Sequence, residues 1–522
     1  MILANDGGAT ITFNGGESWS SQKNQPTGQF YRIIADNRFP YYIYSGQQDN
    51  TTIAIPSRTA QKGIDWKDWY TVSGGESAFI TFDPDNPTLV YGTDYLGNVS
   101  VYDHNTGIKK DIMAYPSISM GVLPKDMPYR FNWNAPIITC PHDPSTIFHA
   151  ANVVLKTKDG GFNWDVISPD LTRNDKSKQG PGGVPFTNEG AGGETYNTIS
   201  YLACSPHEPN VIWVGSDDGL VHLTRDGGKK WTNVSPPDLE EALIHSIEVS
   251  PHDPKAAYIV ATRYKFDDLK PYIYYTDNYG KNWVKITSGI ISTDFVKVVR
   301  EDPIQRGLLY AGTESGLYIS FNNGEQWDRF QLNLPVCPIT DLLIHDNDLI
   351  ASTSGRSIWI LDDLSSIQQS MGQLFNGEAV LFKPKKVYRF KAETPDKPVP
   401  EMGQNPLNGV IIDYYLPQLP DSSGLAIQIL KGEQVIRSYS NQMDPNQKTY
   451  EGGPMPDKIL SSMKGINRFH WDLQRVTLPS IPDVFVMGNY TGSLVAPGEY
   501  TIRMIFRSDT LEQVCKVLPD PR

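Results

Sequence analysis

One octapeptide, Ser/Thr-x-Asp/Asn-x-Gly-x-x-Trp, occurs five times and limits the possible folds more than any other feature of the chain. It reads Thr12-Phe-Asn14-Gly-Gly16-Glu-Ser-Trp19, Thr157-Lys-Asp159-Gly-Gly161-Phe-Asn-Trp164 and Thr224-Arg-Asp226-Gly-Gly228-Lys-Lys-Trp231, then Thr276-Asp-Asn278-Tyr-Gly280-Lys-Asn-Trp283 and Ser320-Phe-Asn322-Asn-Gly324-Glu-Gln-Trp327. From average residue frequencies, a chain of 522 residues should contain on the order of 0.01 such matches by chance. The pattern describes a hairpin turn. The Asp or Asn side chain caps backbone amides across the bend, Gly supplies the positive φ, and Trp packs back between neighbouring sheets. Asn14, Asp159, Asp226, Asn278 and Asn322, with Trp19, Trp164, Trp231, Trp283 and Trp327, are therefore expected to be structural rather than catalytic. The last four tryptophans are expected to be largely buried at equivalent positions.

A second repeat precedes each turn: an apolar strand, a short polar turn and an alternating strand, as in 211–223 and 308–320. Similar hairpins begin near Ile2, Tyr42, Leu89, Thr146, Ala257 and Leu349. Upstream of many lies another strand ending in a Pro-rich turn, such as Pro141-His-Asp-Pro144, Pro206-His-Glu-Pro209 and Pro251-His-Asp-Pro254. Four antiparallel strands recurring every 44 to 67 residues predict the blades of a β-propeller, seven or eight of them over residues 1–363. The chain opens in the second strand of a unit, so the first blade is expected to be incomplete and the chain to be the C-terminal part of a longer protein. Residues 364–404 read as a connector with one helical turn. From 405 to 522, alternating segments without the octapeptide suit an immunoglobulin-like β-sandwich.

Composition agrees with an all-β chain: 11% aromatic residues, 44 glycines and 39 prolines favour short strands and turns over helices. A net charge of −13 argues against a nucleic-acid partner and against attraction to an anionic membrane surface. No apolar run is long enough for a membrane-spanning helix, and no signal peptide is visible. Cys140, Cys204, Cys337 and Cys515 lack zinc spacing and read as small apolar strand residues. The Asp217-Asp218-Gly219 turn supplies too few oxygens for calcium. No nucleophile elbow, phosphate loop, dinucleotide fingerprint or metalloprotease signature is present. Neither a metal nor a cofactor is expected.

Strand order places the octapeptides and Pro turns at one end of the strands. At the other end lie the polar turns and the blade-to-blade links, with the long insertions 116–133, 169–195 and 264–270. That face gathers Asp49, Glu76, Arg130, Trp133, Glu189, Glu194, Asp217, Asp218, Glu314 and Arg356. Glu76, Glu194 and Asp217 are the candidate catalytic carboxylates; Asp49, Arg130, Trp133, Asp218, Glu314 and Arg356 are candidate ligand-binding residues. His245, early in an inner strand, either points into the channel or is a satisfied core histidine.

Several strings carry a family resemblance: Gln47-Gln-Asp-Asn50, Ile167-Ser-Pro-Asp-Leu-Thr-Arg-Asn174, Gly215-Ser-Asp-Asp-Gly219, Gly355-Arg-Ser-Ile-Trp-Ile-Leu-Asp-Asp363 and Pro497-Gly-Glu-Tyr-Thr. The chain resembles bacterial Asp-box (BNR) repeat proteins related to the sortilin propeller domain, often labelled glycosyl hydrolases, and more distantly glycoside hydrolase family 74. The resemblance implies a glycan or peptide ligand at the loop-rich face, a missing N-terminal propeller half and an extracytoplasmic location. By analogy with family 74, whose tandem propellers each contribute one catalytic Asp, this chain would supply one carboxylate of the pair. Ser354 stands where the family pattern carries His. The alternative to a hydrolase is a non-catalytic propeller module that binds a protein or peptide.

Overall fold

The computed structural model describes every residue except 6–7, 22–26, 118, 181–193, 372–376, 394–401, 422–423, 444–449, 482 and 489. The chain divides into two compact units. The first comprises 1–57, 64–360 and 398–403, the second 58–63, 361–397 and 404–522.

The first unit is built from antiparallel sheets that follow one another along the chain. The first sheet has strands Ile34–Ala35, Tyr42–Gly46 and Thr52–Pro56; the second, Ile80–Asp83, Asn86–Asp94, Asn98–Asp103 and Ile108–Asp111. The third runs from Ile137–Cys140 to Asp165–Val166, the fourth from Ile199–Cys204 to Thr232–Asn233, the fifth from Leu243–Val249 to Val284–Lys285 and the sixth from Val296–Glu301 to Asp328–Arg329, each of four strands. The seventh has Ile339–His345, Asp348–Thr353 and Ile358–Leu361. The seventh packs back on the first. Ile350 meets Ile33, Ala35, Tyr41 and Ile43 in one buried cluster, the Tyr41 hydroxyl donates to Asp348 at 3.0 Å, and the Ile33 amide donates to Asp341 at 3.2 Å.

The hairpin Ile2–Asn5 and Gly8–Ile11 pairs with no other described strand, and its first strand is exposed throughout. Residues 1–19 were expected to open an incomplete blade of the same ring. The ring instead closes between residues 29–43 and 339–354, because the apolar edge of the seventh sheet finds its partner in the first.

The octapeptides explain why each sheet ends as it does. In 157–164, the Thr157 hydroxyl donates to Asp159 Oδ1 at 2.9 Å and receives the Gly161 amide at 3.0 Å, while the Asn163 amide donates to Asp159 Oδ1 at 2.9 Å. The same circuit closes around Asn14, Asp226, Asn278 and Asn322. The glycine of each circuit sits at φ between 75° and 101°, which a side chain would strain. In four of the five, the indole N–H reaches a backbone carbonyl of the preceding sheet's outer end: Trp164 to Ile112 at 3.0 Å, Trp231 to Ile167 at 2.9 Å, Trp283 to Val234 at 2.7 Å and Trp327 to Ile286 at 2.8 Å. Only Trp327 is largely buried, at 1% exposure; Trp164, Trp231 and Trp283 are half-buried. The expectation of large burial fails for these three because each packs only against the margin of a buried cluster, whereas Trp327 is itself a member of one.

The Pro-rich turns also join neighbouring sheets. His142 Nε2 donates to the Ser205 carbonyl at 3.0 Å, His207 to Ser250 at 3.0 Å and His252 to Asp302 at 2.7 Å. A different histidine is held inside the third sheet. His149 is 0% exposed and donates from Nδ1 to the Pro136 carbonyl at 2.9 Å. Burial pushes its pKa from 6.5 down to about 4. The unfolded chain therefore binds the proton that the folded chain refuses. This contribution to stability is complete above the unfolded value and is lost as the pH falls toward 4, by up to about 3 kcal/mol. A His149→Gln variant is expected to lose less stability than the parent between about pH 7 and 5 in urea melts; equal slopes would show that other groups carry the acid sensitivity.

In the second unit two sheets share one core. Val380–Leu381, Val410–Leu416 and Gly465–Trp471 form one; Val387–Tyr388, Asp509–Leu518, Gly498–Phe506, Leu425–Lys431 and Gln434–Ser440 form the other. Ile412, Tyr414 and Trp471 meet Ile427, Ile502 and Met504 between them. Part of the expected connector thus supplies strands, one to each sheet, and Ser365–Ser370 is a short helix tied to the core through the Ser366 hydroxyl, 2.6 Å from Asp413. All four cysteines are free.

Candidate functional site

The first strands of the sheets neighbour one another around the centre of the first unit. At the end where these strands begin lies a cavity of about 340 Å³. The segments leading into the first, third and fourth sheets bring Tyr31 and Arg32, Asn132 to Asn134, and Glu194 to Tyr196. The first strands of the fifth and sixth sheets add His245 and Lys297, and turns after second strands add Asp217 and Tyr264 to Phe266. Residues far apart in sequence meet here because the starts of several first strands lie at this one end.

The aromatic walls are held in place by stacking. Trp133 lies on Tyr95 with ring centres 5.1 Å apart and planes within 6°, and its Nε1 donates to the Tyr31 hydroxyl at 3.3 Å. Tyr264 stacks on Phe295 at 5.1 Å. Burial pushes the Tyr31 hydroxyl up to about 12, with the charges of Glu76 and Asp49 acting in the same direction, so it stays protonated and can donate.

Asp217 and Asp218 leave the same turn toward different partners. Asp217, 7% exposed, lines the cavity; its oxygens accept from the Thr198 amide at 2.9 Å and the Thr198 hydroxyl at 2.6 Å. Asn132 Nδ2 donates to that hydroxyl at 2.9 Å. Burial, and then the neighbouring Asp218 charge, hold the Asp217 carboxyl well above the usual carboxylate range, which favours the neutral acid. Asp218 is fully buried and accepts from the Ser216 hydroxyl, the Arg173 amide at 2.8 Å and Asn197 Nδ2 at 2.7 Å. That set of donors makes Asp218 a clamp for the loop after the third sheet. Gly219 ends the turn at φ 91°, where a Cβ would lie 2.9 Å from the Glu240 carbonyl oxygen.

Of the other residues singled out from the sequence, Glu194 and Trp133 line the cavity. Glu76 and Asp49 form a small cluster beside Tyr31, where Glu76 accepts from Gln48 Nε2 at 2.7 Å and from the Asp49 amide at 2.9 Å. Arg130 is 2% exposed and turned away from the cavity, bound to Asp170 at 2.7 Å and the Asn197 carbonyl at 3.1 Å. Glu314 pairs with Lys297 at 2.7 Å. Arg356 is exposed on the turn after Ser354, with Nη1 donating to the Gly355 carbonyl at 2.9 Å. Glu189 lies outside the described residues. His245 does reach the cavity, and burial lowers its pKa well below the ordinary value. Tyr31, Arg32, Tyr264 and Lys297 went unmarked in the sequence. Arg32 lies just before a first strand and Lys297 near the start of one, so proximity to the start of a first strand, applied to every sheet, is the signal that finds them.

Among the described residues no group of three or more His, Cys, Asp or Glu side chains is placed to hold a metal ion, and no helix is long and apolar enough to cross a membrane.

No family model matches the chain. A curated protein of Neosartorya fischeri, described as "Probable oligoxyloglucan-reducing end-specific xyloglucanase", is 24% identical over 241 residues, which make up 44% of this chain and 26% of that protein. The match thus spans about a quarter of that relative's length. Among solved structures, the GH74 xyloglucanase of Xanthomonas campestris aligns with 75% of this chain and 58% of its own, at 13% identity and a TM-score of 0.47. The GH74 enzyme of Niastella koreensis aligns with 75% and 64%, at 14% identity and a TM-score of 0.46. YCF48 from Cyanidioschyzon merolae aligns with 64% and 94%, at 10% identity and a TM-score of 0.44. The chain is similar to propeller proteins of the glycosyl-hydrolase kind, the resemblance already visible in its sequence.

Proposed function

We propose that the chain acts on a glycan at the loop-rich end of its central channel, admitting one or two sugar rings to the cavity. The observation that carries this reading is the composition of the cavity wall. Aromatic faces (Tyr31, Trp133, Tyr264), side-chain amides (Asn132, Asn134) and two carboxyl groups (Glu194, Asp217) converge on about 340 Å³, the mixture that recognises a ring with one apolar face and a rim of hydroxyls. The similarity to a curated xyloglucanase over 241 residues supports it. In this reading the propeller has seven blades, the sheets described above, and the C-terminal sandwich is a spacer or docking domain. Asp217, kept protonated by burial, is the general acid that gives its proton to the leaving glycosidic oxygen. Glu194 is the partner carboxylate that activates water or attacks the anomeric carbon.

The test is hydrolysis of a panel of oligosaccharides, followed by product chromatography. Glu194→Gln and Asp217→Asn are each expected to lower kcat by about 10²- to 10⁴-fold with little change in thermal stability. Unchanged turnover in both variants would remove the catalytic assignment. One feature favours a second reading, a binding module without turnover: both oxygens of Asp217 are already engaged by Thr198. Calorimetric binding of oligosaccharides with no product formed would select it.

A further inference from the structure

Two of the free cysteines stand together. Cys140 ends the first strand of the third sheet, and Cys204 ends that of the fourth. Just beyond them the two sheets are tied by the bond from His142 to the Ser205 carbonyl at 3.0 Å. Cys140, 5% exposed, belongs to a buried cluster shared by these sheets, with Phe148, Leu202 and Ile212. Cys204 packs against that cluster and keeps part of its surface in solvent. The Cys204 thiol donates to Cys140 Sγ.

The repeat explains why Cys140 differs from an ordinary buried cysteine. In the fourth sheet, the residue that opens the Pro turn, Ser205, accepts the His207 and Glu208 amides at its Oγ, each at 3.2 Å. In the fifth, Ser250 Oγ accepts the His252 amide at 3.1 Å. Cys140 fills this place in the third sheet, and its sulfur accepts from the backbone amides of His142 and Asp143. Three donors aimed at one sulfur favour the thiolate, the form that reacts with oxidants. They lower Cys140 to about 5, the Cys204 thiol acting most strongly, while the same bond, and then burial, raise Cys204 well above its ordinary value. One sulfur is thus the nucleophile and its neighbour carries the proton. Burial raises Cys337, and raises Cys515 to about 12, so neither shares this state.

We propose that Cys140 and Cys204 are an oxidisable pair, which hydrogen peroxide converts to a disulfide between the third and fourth sheets. The Cys140 thiolate attacks one peroxide oxygen, the O–O bond breaks, and Cys140 becomes a sulfenic acid. The hydroxide released takes the Cys204 proton and leaves as water. The Cys204 thiolate then attacks the sulfenic sulfur; the S–S bond forms, the S–O bond breaks and a second hydroxide departs. Two electrons pass from the sulfurs to the peroxide. The limited exposure of Cys140 suits so small an oxidant. The pair acts independently of the glycan reading above.

The experiment treats the folded full chain with hydrogen peroxide, alkylates the remaining thiols in denaturant and maps the peptides by mass spectrometry. The expected result is loss of two of the four thiols, a peptide that links Cys140 to Cys204, and recovery of both thiols with dithiothreitol. Cys204→Ser should leave a sulfenic acid on Cys140 that dimedone traps. Its rate of formation should change less than about 3-fold between about pH 8 and 6, where an ordinary thiol slows on the order of 100-fold. Absence of the linked peptide, or oxidation of Cys337 or Cys515 ahead of the pair, would overturn the inference. A sulfenic acid trapped on Cys204 in Cys140→Ser, with none on Cys140 in Cys204→Ser, would overturn the assignment of Cys140 as the nucleophile. Should either variant fail to fold, the linked peptide from the unaltered chain still decides.

Discussion

Replacing Trp327 with alanine is expected to cost about 3–5 kcal/mol of stability, the range for truncating a large buried aromatic side chain. Trp327 is 1% exposed, and it sits in one cluster with Tyr258, Ile273, Ile286, Val299 and Tyr318, which belong to two adjacent sheets. Its indole N–H also holds the Ile286 carbonyl at 2.8 Å. The substitution therefore opens a void between sheets and leaves a carbonyl without its donor. The same change at Trp19 removes the same residue from the same octapeptide, yet it should cost well under about 1 kcal/mol, because Trp19 is 41% exposed beside a hairpin that pairs with no other described strand. Chemical denaturation of the two variants checks the contrast. Equal losses would mean that the octapeptide matters through its local turn rather than through the contact its tryptophan makes between sheets.

The second large effect lies in the centre of the first unit. Arg300 is 12% exposed and holds Asp341 at 2.7 Å, Glu248 at 3.4 Å, the Tyr201 hydroxyl at 3.2 Å and the Leu342 carbonyl at 2.8 Å. Asp341 is 4% exposed and also receives the Ile33 amide at the seam between the seventh and first sheets. An Arg300→Met variant keeps much of the apolar stem but strands these carboxylates in a poorly solvated place, and breaking a buried pair by removing one partner typically costs about 3–5 kcal/mol. Burial already raises Glu248 to about 7 against the pull of Arg300, so removing the arginine should push it higher still. Adding Asp341→Leu to Arg300→Met should recover part of the loss, since the stranded charge goes with it. Urea denaturation of the single and double variants measures this. Additive losses, or a single-variant cost below about 1 kcal/mol, would show that the cluster does not hold the seam.

The candidate site was legible in part. Counting strands from the octapeptides was enough to say which loops share a face, and that placed Trp133, Glu194 and Asp217 in one neighbourhood, where all three line the cavity. It did not show how far each side chain would be drawn aside by local partners. Arg130 is buried against Asp170 within its own loop system, and Asp218 turns to Arg173 and Asn197 although its neighbour Asp217 faces the cavity. Such choices depend on which donors lie within about 3 Å after folding, and strand counting carries no information at that scale.

What the sequence determined by itself is local. The hydroxyl, Asp or Asn, and Gly of each octapeptide close their circuit through bonds between residues no more than 4 positions apart, so the turn forms from its own atoms and repeats wherever the letters repeat. The alternation of the strands and the two ends of each sheet follow from the same short-range rules. What only the tertiary structure decided is where the ring closes and what meets at its centre. Ile33 and Asp341 are 308 positions apart, and Arg32 and His245 are 213 apart. The octapeptide at 12–19 has the same letters as the others, but among the described residues the hairpin before it pairs with no further strand. The bonds from His142, His207 and His252 likewise exist only once the next sheet is in place. A turn needs only the residues beside it, whereas a seam or a cavity wall needs surfaces whose positions are set by every sheet between them.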